Sequence, residues 1–228
     1  MPDGPLRLVI FDVDGTLVDS QASILSAMRG ACARAGLSVL PDAEVLGIVG
    51  LSLPEAMSVL FPDLPDPDRT RMVEFYKQSF LEQRQCGAAE AAAALYPGAR
   101  ETLDALDGAG YLLSIATGKA RRGLTHMIES HGLHGLFIGA QTADDAPSKP
   151  NPQMVLNCLA ATGAAPENTA LVGDTEFDLA MAHAAGCHAI GVSWGYHSLA
   201  RLERTNPFRI IDAFADLIPA LDDLWSGR

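Results

Sequence analysis

Short apolar runs recur along this chain, and helical periodicity fills the gaps between them. Leu8-Val9-Ile10-Phe11, Leu112-Leu113-Ser114-Ile115-Ala116, Leu136-Phe137-Ile138, Ala170-Leu171-Val172 and Ala189-Ile190-Gly191-Val192 are almost free of polar residues. Strands buried on both faces of a parallel sheet have this pattern, whereas half-exposed strands alternate. Arg209-Ile210-Ile211 is a sixth, shorter candidate. A helix from Ala99 carries Leu103 and Leu106 and ends near Gly108 and Gly110. Leu124, Met127, Ile128 and His131 fall at i, i+3, i+4 and i+7 of another. Asn151 is a good N-cap, with Pro152 at the first helical position, Val155, Leu156 and Leu159 inside, and Gly163 as the stop. Phe177 to Ala185 reads as a helix closed by Gly186. Phe214, Leu217, Ile218 and Leu221 mark a last one, whose continuity Pro219 puts in question. Strand–helix alternation from Leu112 onward predicts an open α/β sheet with right-handed crossovers.

The rhythm changes between the first strand and Tyr96. Ile24, Leu25, Met28, Cys32 and Ala35 form a helical stripe closed by Gly36. Ser52 and Glu55, with Pro54 between them, match a capping box. Asp66-Pro67 opens a helix containing Met72, Val73, Tyr76 and Phe80, and the Ala-rich Ala91 to Ala94 also reads as helical. With no strand pattern there, residues 16–95 are expected to be a helical insert in an α/β core made of 1–15 and 96–228. Val18-Asp19 and Tyr96-Pro97-Gly98 are the expected hinges.

Bulk properties narrow the partners. The 228 residues are 48% hydrophobic, enough for a sizeable core. The formal charge of −12 repels nucleic acid and anionic lipid, and Lys and Arg form no runs. Neither nucleic acid nor membrane is therefore an expected partner; a small phosphorylated metabolite remains acceptable to a locally positive site. The first residues lack a basic signal-type region, and no stretch approaches the ~20 apolar residues of a membrane span, so a cytoplasmic location is expected. Cys32, Cys86, Cys158 and Cys187 are far apart, form no C-x-x-C, and read as reduced thiols. The oligomeric state, monomer or homodimer, is left open.

Four segments carry chemistry. In Phe11-Asp12-Val13-Asp14-Gly15-Thr16, two carboxylates follow a buried strand on the same side of an extended chain. Clustered anions need a shared cation, and magnesium suits oxygen donors. Asp12 can then act as a nucleophile and Asp14 as a proton donor. Thr117-Gly118, after the second strand, offers a hydroxyl and backbone N–H groups for a phosphate oxygen. Lys149, flanked by Pro150 and Pro152, is a compact charge suited to a phosphoryl group. In Gly173-Asp174-Thr175-Glu176-Phe177-Asp178, Asp174 and Asp178 lie four apart at a helix start and can face one ion. Each segment alone has an ordinary explanation as a turn, a cap or a surface lysine. All four, however, follow predicted parallel strands and converge on one crevice with the groups that phosphoryl transfer needs.

With D-x-D-G-T-L-x-D-S, Y-P-G, T-G-K, K-P-x-P and G-D-T-x-x-D in order, the chain resembles the haloacid dehalogenase superfamily, phosphoglycolate phosphatase-like members above all. The resemblance covers nearly the whole chain. It implies a Rossmann-like open parallel sheet core with an inserted all-helical cap, and a magnesium-dependent phosphatase working through an aspartyl-phosphate. By the same resemblance Asp12 is the nucleophile and Asp14 the acid and base. Thr117, Gly118 and Lys149 bind the phosphoryl group. Asp12, the Asp14 carbonyl, Asp174 and Asp178 hold the metal. Asp14 argues against dehalogenase and phosphonatase chemistry, and Thr16 against a sugar phosphomutase. Pyrophosphate, sugar phosphates and nucleotides remain alternative substrates, and a non-enzymatic phospho-receiver is a more distant alternative.

Overall fold

The computed structural model describes residues 5–85 and 93–226. Its core is a six-stranded parallel sheet with strand order β3-β2-β1-β4-β5-β6. The strands are β1 (Leu8–Phe11), β2 (Leu112–Ala116), β3 (Gly139–Gln141), β4 (Thr169–Gly173), β5 (His188–Val192) and β6 (Arg209–Ile211). β1 is central, pairing Phe11 with Ile115 on one side and Val172 on the other. The chain runs outward through β2 and β3 on one flank and through β4 to β6 on the other, so the topology switches at β1. Ligand crevices of open α/β sheets form at that point, beyond the carboxyl ends of the strands.

Alternation along β1 divides the core. Val9 and Phe11 face one layer, built from α5 (Ala99–Gly108), α6 (Arg121–Ser130) and α10 (Leu217–Trp225) through Leu103, Leu106, Leu124, Met127, Leu217 and Leu221. Leu8 and Ile10 face the other, built from α7 (Gln153–Thr162) and α8 (Glu176–Ala184) through Met154, Val155, Cys158 and Leu179. A short α9 (Leu199–Glu203) follows β5.

The segment after β1 is a helical cap with its own core. α1 (Gln21–Ala35), α2 (Asp42–Leu46), α3 (Leu53–Leu60) and α4 (Asp66–Gln85) enclose Ile24, Met28, Cys32, Met57, Met72 and Val73. The two connections to the core run side by side: Asp19 N–H donates to the Ala94 carbonyl at 2.9 Å, and Tyr96 N–H to the Leu17 carbonyl at 2.9 Å.

Some local expectations shifted. The third strand is Gly139–Gln141, not Leu136–Ile138. Leu136 and Phe137 pack on the core from a loop, while Ile138 is 59% exposed and its N–H opens the ladder to the Leu113 carbonyl. Ser52 does cap α3, but its side chain makes no cap bond; instead its N–H donates to Ser148 Oγ at 2.8 Å. α7 begins one residue late, with Pro152 at the cap and Asn151 Oδ1 accepting from Gln153 N–H. Pro219 lies in the first turn of α10, where no helical N–H is required of it. Ala93 and Ala94 lie outside any helix, and Ala91, Ala92 and Cys86 fall outside the described residues. Cys32, Cys158 and Cys187 are free and buried. Among the described residues no helix is long and apolar enough to cross a membrane.

Candidate active site

Two loops leave the neighbouring strands β1 and β4 at the same level and bring the acidic segments together. Asp12 directly follows β1, is 1% exposed, and is held by its N–H to the Val172 carbonyl at 3.0 Å. Asp174 follows β4, and Asp178 sits in the first turn of α8; both are buried. The ligand oxygens of these three carboxylates lie within 4.8 Å of one another. Lys149 reaches in from the loop after β3. Its buried Nζ donates to Asp12 Oδ1 and to Asp178 Oδ1, both at 2.6 Å. Asp178 Oδ2 closes a capping box, accepting from Thr175 N–H at 3.1 Å and Thr175 Oγ at 2.6 Å.

Asp174 is fixed from two sides. Thr16 Oγ donates to its Oδ1 and Tyr196 N–H to its Oδ2, each at 2.8 Å. The approach is so tight that only glycine fits beside it. A Cβ on Gly15, whose φ is +86°, would meet Asp174 Oδ2 at 2.3 Å, and one on Gly195 would meet Asp174 Cβ at 2.1 Å.

The electrostatics follow from burial. Desolvation pushes the Asp12 carboxyl up to about 7; Asp178 and Asp14 add to the rise, and Lys149 opposes it. Asp174 is raised well above the ordinary range by burial, then by Asp178 and Asp12. Burial would lower the Lys149 ammonium, but Asp12 and Asp178 more than reverse it and hold it above its usual value. Three carboxylates against one ammonium leave the cluster short of positive charge, and Asp12 Oδ2 is buried without a hydrogen-bond partner. Close-set, oxygen-only donors fit a hard divalent cation.

Asp14, one pleat beyond Asp12, stands outside that triad. Its Oδ1 accepts from Ser20 Oγ at 2.5 Å and pairs with Lys119 Nζ at 2.9 Å. Asp12 and Asp14 both border a cavity of about 470 Å³ that opens under the cap. Thr117 and Gly118 border it too. Thr117 is held by its N–H to the Gln141 carbonyl, and its Oγ accepts from Lys119 N–H. The cap loop rests on this floor, since a Cβ on Gly118 would meet the Gly50 carbonyl oxygen at 2.5 Å.

Every candidate from the sequence thus lies in or beside one crevice. Lys77 pairs with Glu74, Arg71 with Asp68 and Arg121 with Asp145; Arg122 is exposed on the cavity wall. Trp194-Gly195-Tyr196, after β5, borders the site: Trp194 Nε1 donates to the Thr16 carbonyl, and Tyr196 Oη accepts from Ser20 N–H. His197 carried no sequence signal, yet it joins core to cap. Its Nδ1 accepts from Glu176 N–H at 3.1 Å, leaving Nε2–H to donate to the Gly47 carbonyl at 3.1 Å.

Fold and site together define a hydrolase with a Rossmann-like core, a carboxylate-rich crevice and a covering cap. The model of the haloacid dehalogenase-like hydrolases matches residues 9–192, and the chain belongs to that family. It is an enzyme of the phosphatase type. Its sequence is 36% identical to the probable phosphatase IndB of Dickeya dadantii, covering 93% of this chain and 92% of that one. It is 32% identical to a phosphoglycolate phosphatase of Agrobacterium fabrum, covering 97% and 95%. A hydrolase structure from Pseudomonas syringae superposes with a TM-score of 0.84 at 25% identity, covering 95% of this chain and 98% of that one.

Proposed function

We propose that this chain is a magnesium-dependent phosphatase that hydrolyses a small phosphomonoester through an aspartyl-phosphate on Asp12. The observation that carries the reading is the Asp12 environment. The carboxylate ends the central strand and borders the cavity; Lys149 holds one oxygen at 2.6 Å, and the other has no partner. The unpartnered oxygen attacks phosphorus in line with the ester oxygen. As the ester bond breaks, Asp14 delivers its proton to the departing alkoxide. Asp14 then takes a proton from water, which attacks the phosphoryl group and returns Asp12 with release of inorganic phosphate. Lys149, the Thr117 hydroxyl and the Gly118 backbone N–H receive the phosphoryl oxygens. Asp12, the Asp14 carbonyl, Asp174 and Asp178 would hold magnesium, which when bound neutralises charge on the transferring group.

The division of labour is also proposed. Residues 1–15 and 96–228 form the catalytic core and 16–95 the cap, hinged at the paired connections Val18-Asp19 and Tyr96-Pro97-Gly98. Closure of the cap excludes bulk water. A cytoplasmic location is supported by the free thiols Cys32, Cys158 and Cys187.

The test is phosphate release from phosphoglycolate, pyrophosphate, sugar phosphates and nucleoside monophosphates, with magnesium and with chelator. Magnesium-dependent release is expected, falling by roughly three orders of magnitude or more in Asp12→Asn while circular dichroism stays native. Release that survives chelation, or substantial turnover by Asp12→Asn, would refute the mechanism.

A further inference from the structure

The cavity that meets Asp12 is built for more than a phosphate. Its walls inside the cap are Ile24 and Met28 of α1, Leu53 and Ala56 of α3, and Phe80 and Leu81 of α4. Phe80 stacks on Tyr76 at 6.2 Å between centroids, giving one wall an aromatic face. At about 470 Å³ the space falls within the range that encloses drug-sized organic molecules.

Cations are scarce on these walls. Among the described residues lining the cavity they are Lys77, Lys119 and Arg122. Lys119 is paired with Asp14 at 2.9 Å, and Lys77 with Glu74 at 2.9 Å. Arg122 is exposed. Lys119 Nζ lies 5.8 Å from the Phe80 ring centroid, but Asp14 already neutralises it, so a carboxylate carried in among Ile24, Met28, Leu53 and Leu81 would lose its hydration without an unpaired cation to replace it. An apolar body loses nothing comparable and gains the burial.

From this we infer that the preferred substrate is a monophosphate ester of an alcohol with a bulky apolar, ring-bearing body, which fills the space between α1, α3 and α4. A two-carbon acid phosphate would leave those walls untouched. The inference rests on the phosphatase reading and specifies its leaving group. The phosphate seats at Asp12, Thr117 and Lys149, and the body points away from the core into the cap.

Three probes with alkyl leaving groups test it: 2-phenylethyl phosphate, ethyl phosphate and phosphoglycolate, each with magnesium. The first two differ only in the ring, so the comparison reports the pocket. The expected result is a kcat/KM for the phenylethyl ester about tenfold or more above that of the ethyl ester, and above that of phosphoglycolate. Phe80→Ala, a change at a half-buried side chain, should shrink the phenylethyl-to-ethyl ratio severalfold. The wild-type comparison stands whether or not that variant folds. If phosphoglycolate is turned over as well as the phenylethyl ester or better, or if the ring brings no gain, the substrate inference is overturned and the phosphatase stands. If none of the three releases phosphate while pyrophosphate, a sugar phosphate or a nucleoside monophosphate does, the substrate inference is overturned and the phosphatase stands; if none of these releases phosphate either, the phosphatase reading falls and the inference with it.

Discussion

Replacing Lys149 with methionine tests whether charge balance, rather than packing, holds the site together. The substitution keeps an unbranched side chain of similar bulk in a position with 0% side-chain exposure and removes the ammonium 2.6 Å from both Asp12 and Asp178. Breaking a buried ion pair from one side costs about 3–5 kcal/mol, because the partner charge is left uncompensated. Two carboxylates lose their partner at once here, and Asp174 adds repulsion, so the upper part of that range is expected in chelated protein near pH 8. The cost must depend on pH. Asp12 titrates at about 7 even with Lys149 present, and without it the carboxyl rises further. A carboxyl whose folded value exceeds its unfolded value near 3.9 contributes stability that is complete below the unfolded value and is lost as pH rises through the folded one. The variant's deficit should therefore shrink steadily from about pH 8 to about pH 4.5 as the carboxyls take up protons. Urea unfolding of both proteins in chelator, followed by circular dichroism at several pH values, measures this. An equal deficit at both ends of that range would refute the charge argument and leave lost packing as the cause.

Three further outcomes are expected. Magnesium should raise the melting temperature near pH 7.5 by about 5–10 °C when present at ~100 times its dissociation constant, and by less near pH 5; no shift in differential scanning fluorimetry would remove the metal from the cluster. Burial, helped by Arg201, pushes His197 down to about 4, and a proton on Nδ1 would face Glu176 N–H. This group's stability contribution is complete above its unfolded value near 6.5 and falls by about 3 kcal/mol as pH drops to 4; a His197→Asn variant should lack that part of the acid slope in urea unfolding, and a parallel slope would count against the latch to Gly47. Gly118→Ala places a methyl 2.5 Å from the Gly50 carbonyl oxygen, which should prop the cap open at a cost of about 1–3 kcal/mol. kcat/KM should fall roughly tenfold or more, and hydrogen exchange at residues 47–53 should rise; unchanged exchange would mean that the loop does not close on this floor.

The sheet was largely legible because β1, β2, β4 and β5 are buried on both faces along nearly their whole length, so Leu8–Phe11 and its counterparts carry almost no polar interruption, Ser114 of β2 being the exception within a run. β3 is a half-buried edge strand without an apolar run, and the stronger signal of Leu136 and Phe137 belonged to the loop that packs beneath it. The capping box at Ser52 and Glu55 was plausible locally, but Ser148 takes the Ser52 N–H from 96 residues away. The acidic cluster was foreseeable because each member follows a strand. Its supports were not. Thr16 meets Asp174 across 158 positions, and His197 meets Gly47 across 150, and neither pairing leaves a local pattern.

Tolerance to change should therefore be uneven across the crevice. Around Asp174, a methyl group on Gly15 or Gly195 would overlap the carboxylate, and each oxygen already has an assigned donor. Small displacements there alter the charge balance and, in the proposed mechanism, the line of attack on phosphorus, so the core is expected to admit few substitutions that preserve chemistry. The cap walls obey a looser rule. Ile24, Met28, Leu53 and Leu81 contribute shape and apolar surface, and apolar side chains of similar volume exchange at modest cost. Substitutions among them change what the cavity holds without disturbing Asp12, Lys149 or Asp178. Selection for a new substrate in this chain is thus expected to gather changes on the inner faces of α1, α3 and α4 and to leave the strand ends as they are.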